Sequence, residues 1–171
     1  MSIDSISISG FMTTKIVTDT EDQNISSASK KMDENNIGSV IVVNNDKKAV
    51  GIITERDVVR ILGKLEPWLL STPLSALMSK PLVTIRSNGS LRDAIQTMYS
   101  KNIRRLPVIS DKEKTGEILG IVTDKDIFRT LMKNQNLVQS LLSENAMSQN
   151  IQTIHERFAE YWFGDILIHR K

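Results

Sequence analysis

Apolar positions along the chain fall into two kinds of run. Ser39-Val40-Ile41-Val42-Val43 and Val50 to Ile53 are short, continuous and β-branched, with Asn44-Asn45-Asp46 between them, which predicts a hairpin of buried strands. On either side the spacing changes to threes and fours. Ile25, Ala28 and Met32 follow Asn24, a residue suited to cap a helix, and Val58, Val59, Ile61 and Leu62 lie within Glu55 to Lys64. Lys15 to Thr18 reads as a short extended piece and Thr20-Glu21-Asp22 as a polar bend. One unit is therefore strand, helix, strand, strand, helix.

The unit is written twice. Gly51-Ile52-Ile53-Thr54-Glu55-Arg56-Asp57 returns as Gly120-Ile121-Val122-Thr123-Asp124-Lys125-Asp126, and Met12-Thr13-Thr14-Lys15 returns as Met78-Ser79-Lys80-Pro81. Asn24, Ile25, Ala28 and Met32 fall on Ser90, Leu91, Ala94 and Met98, and Asn36-Ile37 on Asn102-Ile103. The second copy has a longer turn, Asp111 to Gly116, between Leu106 to Ile109 and Ile118 to Val122. Two copies of this length imply two small subdomains packed on each other, not a solenoid.

Outside the repeats the pattern is weaker. Residues 1 to 11 are polar and expected to fray, and Thr72-Pro73 is expected to cap a short helix through Leu77. Ser90 and Asp93 read as a capping box, and Ile127, Phe128, Leu131 and Met132 mark the last helix of the second copy. The division is 11–64 for the first repeat, 65–77 for a linker, 78–133 for the second repeat and 134–171 for a C-terminal helical extension. In that extension Leu137, Val138, Leu141 and Leu142, then Ile151, Ile154, Phe158, Tyr161 and Trp162, form amphipathic stripes suited to covering the subdomains, a dimer seam or another protein.

Composition narrows the function. Of 171 residues, 22 are basic and 20 acidic, so the net charge of +2 is far from that of a nucleic-acid binder, and aromatics are only 5%. There is no cysteine, hence no disulfide framework, thiol nucleophile or thiolate metal site. The chain opens without a secretion signal and has no apolar run of ~18 residues, so a soluble cytoplasmic protein is expected, without membrane association.

Two copies of glycine, two apolar residues, threonine, two variable residues and aspartate at a strand-to-helix corner, with matching upstream halves, resemble a pair of CBS (cystathionine β-synthase) domains over residues 11 to 133. The resemblance implies an α/β (α+β) fold of two pseudo-symmetric βαββα repeats packed sheet to sheet. It also implies clefts that hold adenine nucleotides, AMP, ADP or ATP, or in some members S-adenosylmethionine. A homodimer, a regulatory role in sensing adenylates, an unidentified regulated protein partner and no covalent cofactor follow from the same likeness.

The corner residues suit that ligand. A carboxylate accepts hydrogen bonds from both ribose hydroxyls, and Asp57 and Asp126 are the candidates. Thr54 and Thr123 stand at helix starts, where hydroxyls and free backbone amides favour an anion. The same Thr and Asp spacing is also a capping box that needs no ligand. For phosphate, the second copy offers Arg104, Arg105, Pro107 and Lys125, similar to the basic-Arg-Leu-Pro-Val segment of adenylate-binding relatives. The first offers only Arg56, so its side is expected to hold phosphate less well. Arg104 and Arg105 also suit a solvated strand start. By the resemblance, Val17, Thr18, Val83, Thr84, Ile37 and Ile103 lie against the base, although they also suit core strands.

Three other functions compete. Catalysis lacks its parts, because no Gly-rich phosphate loop is present and the only histidines, His155 and His169, lack metal-ligand spacing. A ligand-free pairing scaffold would use the Thr and Asp pairs as caps alone. Nucleic-acid binding is disfavoured by charge and aromatic content.

Overall fold

In the computed structural model, which describes residues 5–111 and 117–133, the two kinds of apolar run become two matching units. The first comprises β1 (Thr18–Thr20), α1 (Ile25–Asn35), β2 (Ser39–Val43), β3 (Ala49–Thr54) and α2 (Glu55–Leu62). A 3₁₀ turn at Pro67–Leu70 and α3 (Leu74–Leu77) lead to the second, β4 (Ile85–Arg86), α4 (Leu91–Lys101), β5 (Arg105–Ile109), β6 (Ile118–Thr123) and α5 (Asp124–Lys133). Each unit carries a three-stranded sheet, ordered β1-β2-β3 or β4-β5-β6, with the first pair parallel and the hairpin antiparallel.

The repeated polar residues mark helix ends. The Asn24 side chain accepts from the Ser27 N–H at 3.1 Å, and Ser90 and Asp93 form a complete capping box. Asn36 and Asn102 both sit at φ 52 just past α1 and α4, a left-handed conformation that asparagine tolerates. The residue after each, Ile37 or Ile103, donates its N–H to the carbonyl of Met32 or Met98 at 2.9 Å, which closes the helix.

The central strands β2 and β5 are apolar after their first residue because both faces of their middles are buried. Val40 and Val42 pack into one core with Ile25, Ala28 and Met32, and Leu106 and Val108 into another with Leu91, Ala94 and Met98. Side chains alternate along a strand, so Ile41 and Pro107 are buried on the opposite face.

The leading segment of each unit completes the other unit. Thr13 and Ile121 exchange backbone hydrogen bonds of 2.8 and 2.9 Å, and Ser79 and Ile52 exchange the equivalent pair at 3.0 and 3.2 Å. Further upstream, Ile8 N–H donates to the Gly89 carbonyl and Leu74 N–H to the Gln23 carbonyl. Ile8 and Phe11 therefore belong to the second core, and Leu69, Leu74 and Met78 to the first. The crossing explains the glycine of the motif. A Cβ at Gly51 would lie 2.4 Å from the Met78 sulfur, and one at Gly120 would lie 2.7 Å from the Thr13 carbonyl oxygen.

Four local expectations are corrected. The expectation that the leading segment frays fails over residues 5–11, since Ile8 is fully buried and Phe11 nearly so; spacing along a segment this short gave no sign of a distant core. The first strand is Thr18–Thr20 instead of Lys15 to Thr18, and so takes in Thr20 from the expected bend, because pairing with β2 fixes its register. Thr72 does not cap α3; its hydroxyl donates to the Trp68 carbonyl at 3.0 Å. The α2 helix ends at Leu62, and Val59 and Leu62 on it are exposed, as are Phe128 and Met132 on α5. The turn residues 112–116, the stripes from Leu137 to Trp162, His155 and His169 lie outside the described residues. Among the described residues no helix is long and apolar enough to cross a membrane.

Candidate functional site

A cleft of ≈ 1420 Å³ lies between the two units and takes in both strand-to-helix corners. Its walls include Val17, Ile37, Thr54, Arg56 and Asp57 from the first unit and Val83, Ile103, Arg104, Arg105, Pro107, Thr123, Lys125 and Asp126 from the second. Thr18 and Thr84 are not among the lining residues. Thr18 is exposed, and its carbonyl accepts from Lys31 Nζ at 2.8 Å. Lys15, Glu55, Arg60 and Arg129, which the motifs do not single out for this site, also line the cleft. In all, seven basic residues face five acidic ones there, so the cleft favours an anion.

Each corner is a closed capping box. Thr54 N–H and Oγ1 donate to Asp57 Oδ2 at 2.9 and 2.7 Å, and Asp57 N–H donates back to Thr54 Oγ1 at 3.3 Å. In the second unit Thr123 N–H and Oγ1 donate to Asp126 Oδ2 at 3.1 and 2.6 Å, and Asp126 N–H returns at 3.1 Å. Each threonine hydroxyl thus commits its single hydrogen inside the box.

The expectation of free amides at the helix starts does not hold for α5. Asp124 N–H donates to the Arg104 carbonyl at 3.1 Å, Lys125 N–H to Asp124 Oδ1 at 2.7 Å, and Asp126 N–H to Thr123. Anion contact at this corner therefore falls to side chains.

The two aspartates differ in what remains. Asp57 Oδ1 accepts from Arg60 at 2.8 Å, and the carboxylate is 8% exposed. Asp126 Oδ1 stands 3.6 Å from Arg129 Nη1, beyond hydrogen-bond length, and its side chain is 18% exposed. The second corner offers the more open carboxylate oxygen.

A second asymmetry lies in the sheets. In the first unit the Ile41 N–H donates to the Val17 carbonyl at 3.1 Å. Pro107 holds the equivalent place in the second and has no N–H, so no such bond closes onto Val83. Strand β4 accordingly starts at Ile85, one position later than β1 by repeat alignment.

Arg105 does not stay at its own corner. Its Nη2 lies 3.6 Å from Glu55 Oε2, on the first residue of α2 in the other unit. A Cβ at Gly38 would sit 2.2 Å from that nitrogen, so the bare backbone there leaves the guanidinium its slot.

Comparison with known proteins agrees with this architecture. A family model described as "CBS domain" matches residues 8–64 and 74–133, and both matches begin in the crossing segments. The CBS domain-containing protein YhcV of Bacillus subtilis is 33% identical over 146 residues, covering 85% of this chain and 98% of its own. A 17.7 kDa protein of Acidianus ambivalens is 31% identical over 125 residues, 73% of each chain. In other relatives the chain spans less, 62% of a Methanopyrus kandleri protein and 31% of one from Methanocaldococcus jannaschii. Among solved structures, a conserved protein from Pyrococcus horikoshii aligns with TM-score 0.66 and 27% identity, over 76% of this chain and 94% of that one. The CBS domain pair of protein MJ0100, in complex with 5′-methylthioadenosine and S-adenosyl-L-methionine, aligns with TM-score 0.65 and 24% identity, over 74% and 96%.

Proposed function

The chain belongs to the CBS domain family as a tandem pair, and from that premise we propose that it is a non-catalytic sensor that takes an adenine nucleotide into its cleft and signals to a protein partner. The observation that carries the reading is the cleft itself. It has an excess of cations, an open carboxylate oxygen on Asp126, and apolar walls from Ile37, Ile103 and Val83. A nucleotide needs all three: Asp126 for the ribose, Arg104, Arg105 and Lys125 for phosphate, and the walls for the base. The Val83 carbonyl, lacking the donor that its counterpart Val17 has, is suited to accept from an exocyclic amino group. The MJ0100 pair, alike in fold, holds two adenosine compounds in its crystals.

The same reading makes the protein a cytoplasmic homodimer. Val59 on α2 and Phe128 on α5 occupy equivalent places and are exposed apolar side chains suited to pairing. Sedimentation of the native chain and of Val59→Asp with Phe128→Asp tests this, with a dimer expected only for the native chain.

Thermal melting with AMP, ADP, ATP and S-adenosylmethionine tests the central claim. Ligand at ~100 times its dissociation constant should add about 2.7 kcal/mol to stability. A second reading, a pairing scaffold without ligand, is favoured by the two capping boxes, which are complete as they stand. A melt indifferent to all four compounds would select it.

A further inference from the structure

We propose that Glu55 is a built-in anion of the cleft: it holds Arg105 until a phosphate tail displaces it, and so sets the preference between phosphate-bearing and neutral adenosine compounds. The proposal rests on the adenosine reading above and deepens it.

The geometry is one-sided. Arg105 opens β5 in the second unit and crosses to Glu55 in the first, where the Gly38 backbone makes room for it. By the repeat alignment, the mirror partners are Ser39 and Asp124. Ser39 has no charge to offer, and Asp124 Oδ1 accepts from the Lys125 N–H instead. Only one such latch can therefore form.

The pair is also built to open. At 3.6 Å it is an ion pair without a hydrogen bond, and the Glu55 side chain is 66% exposed, so water and salt screen it. Arg105 is the less exposed partner at 25% and lines the cleft. A phosphate entering there presents planar-matched oxygens to the guanidinium and takes the place of the screened, 66% exposed Glu55 carboxylate. Binding then frees the first residue of α2, so an event at the second unit alters the corner of the first. An uncharged tail gains nothing from Arg105 and leaves the latch shut.

Calorimetric titration of the full chain and of Glu55→Gln with AMP and with 5′-methylthioadenosine tests this, because the two ligands differ in charge at the 5′ position. The expected result is AMP binding tightened about fivefold by Glu55→Gln, the scale of an exposed ion pair, with 5′-methylthioadenosine unchanged. In an Arg105→Met background, Glu55→Gln should change neither ligand. AMP affinity unmoved by Glu55→Gln, both ligands shifting together, or the effect surviving in Arg105→Met would each overturn the latch and leave the adenosine reading in place. Failure of both ligands to bind both the native chain and Glu55→Gln would remove the two together.

Discussion

Asp57 and Asp126 hold the same place in the repeat, yet their surroundings differ, and the proposed site predicts that stability and binding divide between them. Replacing either with alanine opens its capping box, a loss of about 1 kcal/mol. Asp57→Ala also releases Arg60 from a 2.8 Å contact with a carboxylate that is 8% exposed. Arg60 is itself mostly exposed, so that contact adds no more than about 1 kcal/mol after screening. The expected losses are about 2 kcal/mol for Asp57→Ala and about 1 kcal/mol for Asp126→Ala; at about 2–4 °C of melting temperature per kcal/mol, they are separable by calorimetry or urea melts. Binding should rank the other way. Asp126 has the open oxygen, and a hydrogen bond from a ribose hydroxyl to it is worth ~1.5–3 kcal/mol, roughly ten- to a hundredfold in AMP affinity. Asp57→Ala should change AMP affinity by much less. Equal binding losses in the two variants, or a larger loss of stability in Asp126→Ala, would refute the reasoning.

Ile8→Ala should cost about 2–5 kcal/mol, as should Leu74→Ala at the matching place, because each side chain is fully buried in the opposite unit; a change within ~0.5 kcal/mol for Ile8→Ala in urea melts would mean the leading segment does not dock. Gly120→Ala should destabilise by ~1–3 kcal/mol and exceed Gly51→Ala, since backbone stands in the way at Gly120 and a flexible methionine at Gly51. Pro107→Ile restores the N–H that Ile41 uses in the first unit and should occupy the Val83 carbonyl. AMP affinity should fall about fivefold, the scale of one hydrogen bond, and an unchanged titration would remove Val83 from the base site.

Spacing alone carried most of the secondary structure, because both periods are strong and the two copies check each other. Asn36 and Asn102 matched in sequence before their left-handed φ gave the match a cause. The capping boxes at Thr54 and Thr123 were equally visible, being local. What stayed hidden is whatever joins residues far apart in the chain. Ile8 lies among serines in a short segment with no helical or strand-length run, and its hydrogen bond to Gly89 and its place in the second core make it structural. Glu55 and Arg105 are separated by most of a repeat, so no window over the sequence pairs them. The motif glycine recurs in both copies without a local reason, and its cause is a methionine or a carbonyl arriving from the other unit.

That exchange bears on how the proposed sensor would respond. Because Thr13 bonds to Ile121 and Ser79 to Ile52, each sheet is completed by chain that belongs to the other repeat. The cleft is consequently bounded by two units that cannot separate without breaking both cores, which rules out the wide hinge opening common where domains meet at a small interface. A bound ligand must act through side chains at the rim and through small shifts of α2 and α5, whose starts form the corners and which carry the exposed Val59 and Phe128. Occupancy and surface are thus linked along a single short helix in each repeat.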